Sequence, residues 1–221
     1  MIHLYALTEG LAASPAPRGI DAAPVERLEL DGIEALLSRV GSEPAPEEPA
    51  LLAHANVVEW ALTHSASVLP ARFGQLFRGL GALEAALDSS RDELRHVLEQ
   101  VRGCVELGVR VLGAPSLVHE PPASGRDYLR ARLAEVSATE RLAGSIHHTL
   151  AEGARESRRD ETGTVGLVLS AVYLVPRDEV DRFRDRLQRL ESDLPELGIV
   201  CTGPWPAYSF AAFGAESDVH A

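Results

Sequence analysis

Val165-Gly166-Leu167-Val168-Leu169-Ser170-Ala171-Val172-Tyr173-Leu174-Val175 is the most apolar run in the chain, and Pro176 follows it at once. Eleven residues rich in β-branched side chains predict a buried strand. Pro176 then opens a helix, where its missing N–H does no harm, and Asp178 and Glu179 suit the first turn of the helix dipole. Val180, Phe183, Leu187, Leu190 and Leu194 recur at 3-4 spacing, while Arg, Asp and Glu fill the opposite face. That pattern predicts a helix lying on a sheet. Gly198 stops it, and Ile199-Val200-Cys201-Thr202 reads as a last strand.

Working back from this unit, Ser124 with Asp127 three residues on predicts a capped start to a long helix. Its apolar stripe is Leu129, Leu133, Val136, Leu142, Ile146 and Leu150, over about 40 Å if wholly helical. Gly113–Ser124 holds Pro115, Pro121 and Pro122 and reads as the join between domains. Upstream, Ile2–Leu7 is a strand with both faces apolar. Asp31-Gly32 predicts a tight turn between strands Val25–Leu30 and Ile33–Val40. Pro49–Ser65, Gln75–Leu87 and Arg91–Arg102 read as helices, Val68–Gly74 as an edge or bulged strand because of Pro70, and Cys104–Val111 as a strand. The expectation is an α+β chain with two small domains, 1–113 and 114–210, the second ferredoxin-like, with a long connecting helix and a frayed tail at 211–221.

Composition removes several function classes. All 21 basic residues counted as Lys or Arg are Arg, so Schiff-base chemistry and a phosphate-binding loop built on lysine have no lysine to use. The net charge of −12 is spread over both halves, which argues against nucleic acid and anionic membranes as partners. No run approaches the ~20 apolar residues of a membrane helix, and the short Met1–Leu7 run lacks the basic flank of a signal peptide; the expected address is the cytoplasm. Cys104 and Cys201 read as buried or half-buried structural thiols. Gly79-Leu80-Gly81-Ala82-Leu83-Glu84 lacks the third glycine of a dinucleotide loop. His147 and His148 point about 100° apart on a helix and read as a solvated pair. His54 and His64 flank one helix with no ligand set completed, and His119-Glu120 sits in the join. No cofactor, metal site or catalytic residue is expected.

Three further runs are distinctive: Ser67-Val68-Leu69-Pro70-Ala71-Arg72-Phe73-Gly74, Gly125-Arg126-Asp127-Tyr128-Leu129, and Gly203-Pro204-Trp205-Pro206-Ala207-Tyr208-Ser209-Phe210. With the Leu4-Tyr5 strand and Glu106–Val111 they occur in order over nearly the whole chain, and together they resemble the gas vesicle protein F/L family. The resemblance implies a modified ferredoxin fold in the second domain. It also implies a non-enzymatic accessory or minor structural role in gas vesicle assembly. The implied partners are the major gas vesicle shell protein, which is small and hydrophobic, and other gas vesicle accessory proteins; the implied location is the gas vesicle.

Arg72, Phe73, Arg126, Tyr128, Trp205, Tyr208 and Phe210 are the candidate partner or interdomain contacts. Physical chemistry gives each a second reading. Trp205 between two prolines makes a stiff strap that seals a core or offers aromatic rings to a partner. Arg72 forks onto a carboxylate or binds a partner. Tyr128 and Leu129 pack inward. A ferredoxin-like small-molecule-binding regulator or enzyme is the alternative function.

Overall fold

The structure, a computed structural model, describes residues 1–113, 124–160 and 166–211. The proline-rich join, His119-Glu120, Val165 and the expected tail beyond 211 lie outside them. Two compact units emerge: Met1–Val105 together with the segment from Trp205, and Glu106–Pro204. The division therefore falls inside the strand Cys104–Gly113 rather than at the join after 113. The reason is pairing: from Glu106 that strand becomes an inner member of the second sheet.

The first unit contains β1 (Ile2–Glu9), β2 (Glu26–Leu30), β3 (Ile33–Arg39), α1 (Glu48–His64), β4 (Ser67–Pro70), β5 (Leu76–Phe77), α2 (Leu80–Ser89) and α3 (Arg91–Val101). The sheet order is β2-β3-β1-β4, with β5 also paired to β1. An inner position explains why β1 is buried from Ile2 to Thr8. Asp31 and Gly32 both take positive φ at the tip of the β2–β3 hairpin, as that two-residue turn requires.

Two expectations about this unit are corrected. Val68–Gly74 is not one strand: β4 ends at Pro70, Gly74 turns the chain at φ +83°, and β5 resumes against Ile2 and His3. Consequently the helix expected from Gln75 starts only at Leu80.

The second unit runs β6 (Cys104–Gly113), α4 (Gly125–Ala151), β7 (Glu156–Arg159), β8 (Leu167–Pro176), α5 (Val180–Asp193) and β9 (Leu197–Trp205). This β-α-β-β-α-β succession with sheet order β7-β8-β6-β9 is the ferredoxin-like arrangement. A short 3₁₀ turn, Arg177–Glu179, separates Pro176 from α5. Odd-numbered residues Leu169, Ala171, Tyr173 and Val175 of β8 are buried in one cluster with Ala143, Ile146 and Leu150 of α4 and Phe183 and Leu187 of α5. A strand's period of two and a helix's 3-4 spacing meet there. α4 is thus the first crossover helix of this fold, extended well past what the sheet needs.

Candidate functional site

β1 carries a register shift between Leu4 and Ala6 against β3. Tyr5, at that irregularity, is fully buried, and its hydroxyl accepts a hydrogen bond from Ile20 N–H at 2.9 Å. Beside it, His3 Nε2 lies 3.0 Å from His54 Nδ1, and His54 Nε2 lies 3.1 Å from the Ala71 carbonyl. Phe73 closes the group, its ring centroid 5.8 Å from both imidazoles. Ala71 N–H donates to Tyr5 O at 2.8 Å. The Ala71–Gly74 run is therefore an inward lid: Ala71 serves β1 and His54 through its backbone, and Phe73 packs. Arg72 alone faces out, exposed. The fork onto a carboxylate is not formed, since among the described residues Arg72 has no acidic partner.

The strap divides its residues between two directions. Pro206, Ala207 and Phe210 are buried, with Phe210 only 1% exposed. Trp205 ends β9 at 46% exposure and Tyr208 keeps 40%. Short backbone bonds, Tyr208 N–H to Pro206 O at 2.7 Å and Phe210 N–H to Ala207 O at 3.2 Å, fold a segment whose Trp205 and Tyr208 rings face out and whose Phe210 ring faces in. The Tyr208 hydroxyl pKa is pushed up to about 12, by burial first and then by the Glu59 carboxylate. The Glu59 carboxylate of α1 is thus close enough to be felt by the Tyr208 hydroxyl. Sealing and display are both present, in different residues.

Gly125–Leu129 opens α4. Ser124 Oγ accepts from Asp127 N–H at 3.2 Å and donates to its carboxylate at 2.6 Å, the cap that the spacing predicts. Inward packing of Tyr128 and Leu129 is corrected: they are 54% and 67% exposed, and Leu133 and Val136 are exposed too. Arg126 is also exposed. Of the seven candidate residues, Arg72, Phe73, Trp205, Tyr208 and Phe210 belong to the first unit, and Arg126 and Tyr128 to the second.

Two further expectations change. His147 is half-buried rather than solvated, its Nδ1 3.0 Å from the Tyr173 hydroxyl, while His148 is exposed. Burial first, then Arg159 and His148, lower its pKa. Cys201 is exposed, because β9 is an edge strand, while Cys104 is buried. A shallow depression on α5 is lined by Asp185, Gln188, Arg189, Ser192 and Asp193, a polar set unlike the mostly apolar pockets that hold small ligands. Among the described residues no helix is long and apolar enough to cross a membrane.

The order of the three sequence runs, the ferredoxin-like unit and the outward rings now meet the comparison with known proteins. The family described as "Gas vesicle synthesis protein GvpL/GvpF" matches residues 1–212. The chain belongs to the GvpL/GvpF family. Gas vesicle protein F1 of Halobacterium salinarum is 29% identical, covering 86% of this chain and 82% of its own length. Gas vesicle protein L of a Streptomyces species is also 29% identical, over 99% of this chain and 95% of its own length. The crystal structure of GvpF from Anabaena superposes with a TM-score of 0.81 at 19% identity, covering 99% of both chains, so the fold is that of GvpF. As a GvpL/GvpF protein the chain is involved in gas vesicle formation.

Proposed function

We propose that this chain acts as a protein-binding assembly factor in the cytoplasm, holding the small hydrophobic shell protein before it polymerises, and that it does so without catalysis. The observation that carries this reading is the strap: Trp205 and Tyr208 stand exposed on a segment fixed by buried Pro206, Ala207 and Phe210. Rigid aromatic rings displayed on an anchored backbone lose little entropy when a partner covers them, which suits recognition of an apolar surface. A net charge of −12 keeps such a holder soluble while part of its surface is apolar.

Co-purification tests the proposal. Tagged chain, co-expressed with the shell protein of the same genome, is expected to retain it through washing. Trp205→Ala with Tyr208→Ala should lower the retained amount at least tenfold while the chain stays folded by circular dichroism. Purified chain that ignores fresh shell protein overturns the proposal.

A further inference from the structure

α4 is 27 residues long, yet its buried residues are Ala143, Ile146 and Leu150, all in its last third. Before them, Leu129, Leu133 and Val136 follow one another at i, i+4 and i+7 and are 67%, 68% and 47% exposed. That spacing puts the three on one face. They form a continuous apolar stripe that the sheet of their own unit does not cover. Scattered exposed leucines need no explanation, whereas an aligned row on a helix does.

Charge describes what would cover it. Arg130 follows Leu129 by one residue and Arg132 precedes Leu133 by one, which sets guanidinium groups about 100° to either side of the stripe. Arg126, seven residues before Leu133, heads the same line. From Gly125 to Ala134 there are three arginines against one aspartate, in a chain whose net charge is −12. Among the described residues neither Arg126 nor Arg130 has an acidic partner, while Arg132 reaches Glu135 at 3.0 Å. The positive end of the α4 dipole lies at the same place.

We infer that this half of α4 is a docking rail for an amphipathic helix of another gas vesicle protein, one whose apolar stripe is bordered by Asp and Glu. Apolar contact supplies the adhesion and the arginine borders select the partner's sign. A second copy of this chain fits less well. Run antiparallel about Leu133, it would need Glu140 for Arg126, and Glu140 is already held by Arg159 at 2.6 Å; run parallel, it sets arginine against arginine. An anionic lipid surface would meet the same arginines, but the strongly acidic remainder of the chain opposes that approach.

The inference rests on the protein-holding reading, and its test is separate from shell-protein capture. The full chain is titrated by fluorescence anisotropy with a labelled synthetic helix carrying leucines at 3-4 spacing flanked by glutamates, and with its lysine-flanked twin. The glutamate peptide should bind at least tenfold tighter, with affinity that falls as salt rises. R130E with R132E should reverse the preference, and L129E with L133E should abolish binding. Circular dichroism should stay unchanged in both variants, because all four positions are exposed. Equal binding of the two peptides, or binding of neither, overturns the rail. Preferential binding to phosphatidylglycerol vesicles overturns it in favour of lipid, and a dimer in sedimentation equilibrium that L129E with L133E dissociates overturns it in favour of a second copy. Loss of shell-protein capture by wild-type chain would instead sink the holding reading, whatever the peptides do.

Discussion

His3 and His54, fifty-one positions apart, share one hydrogen bond of 3.0 Å inside the first unit, and both rings are shut off from water, at 0% and 4% exposure. The neighbouring contacts fix their tautomers. His54 Nε2–H donates to the Ala71 carbonyl, so His54 Nδ1 is a bare acceptor and His3 Nε2–H donates to it. His3 Nδ1 then remains a buried acceptor without a partner among the described residues. Both N–H groups are used with both rings neutral, and an added proton would put a charge in a buried site. The groups packed round them are Tyr5 and Phe73, neither of which balances a positive charge with a negative one.

Stability should therefore depend on pH in a definite window. The His3 pKa is lowered to about 4, by burial first and then by His54, and that of His54 is lowered by burial. A base whose folded pKa lies below its unfolded value near 6.5 binds more protons when unfolded. Its contribution is complete above pH ~6.5, shrinks as pH falls, and is gone below about 4. For His3 the loss is about 3 kcal/mol, from the size of the shift. Urea melts of wild type and His3→Leu at pH 7 and pH 4 check it: the variant, though weaker at pH 7, should lose about 3 kcal/mol less across the range. Equal losses in both proteins would exclude His3 as the source.

Gly19→Ala should destabilise the same region. A Cβ at Gly19 would collide with the Tyr5 hydroxyl and come within 2.8 Å of Ser38 Oγ. Tyr5 is held at the β1 irregularity and bonded to Ile20 N–H, so it has nowhere to retreat. Gly19 φ is −83°, an ordinary value, so the cost is steric rather than conformational. Overpacking of this kind costs about 1–3 kcal/mol. Equilibrium unfolding in urea measures it, and a midpoint equal to wild type would show that Tyr5 can move.

These two devices were invisible in the sequence for a plain reason: a histidine pair and a glycine under a tyrosine depend on which strands become neighbours. Periodicity carries no such information. It did disclose α1, α3, α5, the Asp31-Gly32 hairpin and the strongly apolar β8, because each announces its own buried face. β7 escaped because Glu156-Ser157-Arg158-Arg159 is an edge strand with no buried residue. The α4 stripe misled for the opposite reason, since 3-4 spacing shows that a face is apolar but not whether the chain itself covers it. Of the candidate site, the stiff Trp205–Phe210 strap was legible from its prolines, but not which of its rings face solvent, because sealing and display fit the same sequence. Phe210 belongs to the interior, and Phe73 packs half-buried against the first core.

Phe183→Asp tests the seam between α5 and its sheet. Phe183 is fully buried, its ring centroid 5.2 Å from that of Tyr173, and it joins the cluster that links β8, α4 and α5. Aspartate there loses the packing of the ring and brings a carboxylate into an apolar site. The expected loss is about 4 kcal/mol or more. Thermal melting followed by circular dichroism reads it, and an unchanged melting temperature would mean that α5 does not lie where the structure puts it.

The strap gives a prediction in two directions. Phe210→Ala removes a ring at 1% exposure and should cost about 3–5 kcal/mol by transfer and cavity terms together. Trp205→Ala and Tyr208→Ala act on rings with 46% and 40% of their surface in solvent, so each should cost about 1 kcal/mol or less. The ordering of the three melting temperatures tests whether Phe210 alone of the three rings is structural. If Trp205→Ala unfolds the protein as readily as Phe210→Ala, the tryptophan is a core residue and the aromatic display collapses with it. If the order holds, any deficit of the Trp205 and Tyr208 variants in shell-protein capture arises at the surface, because the fold beneath is intact.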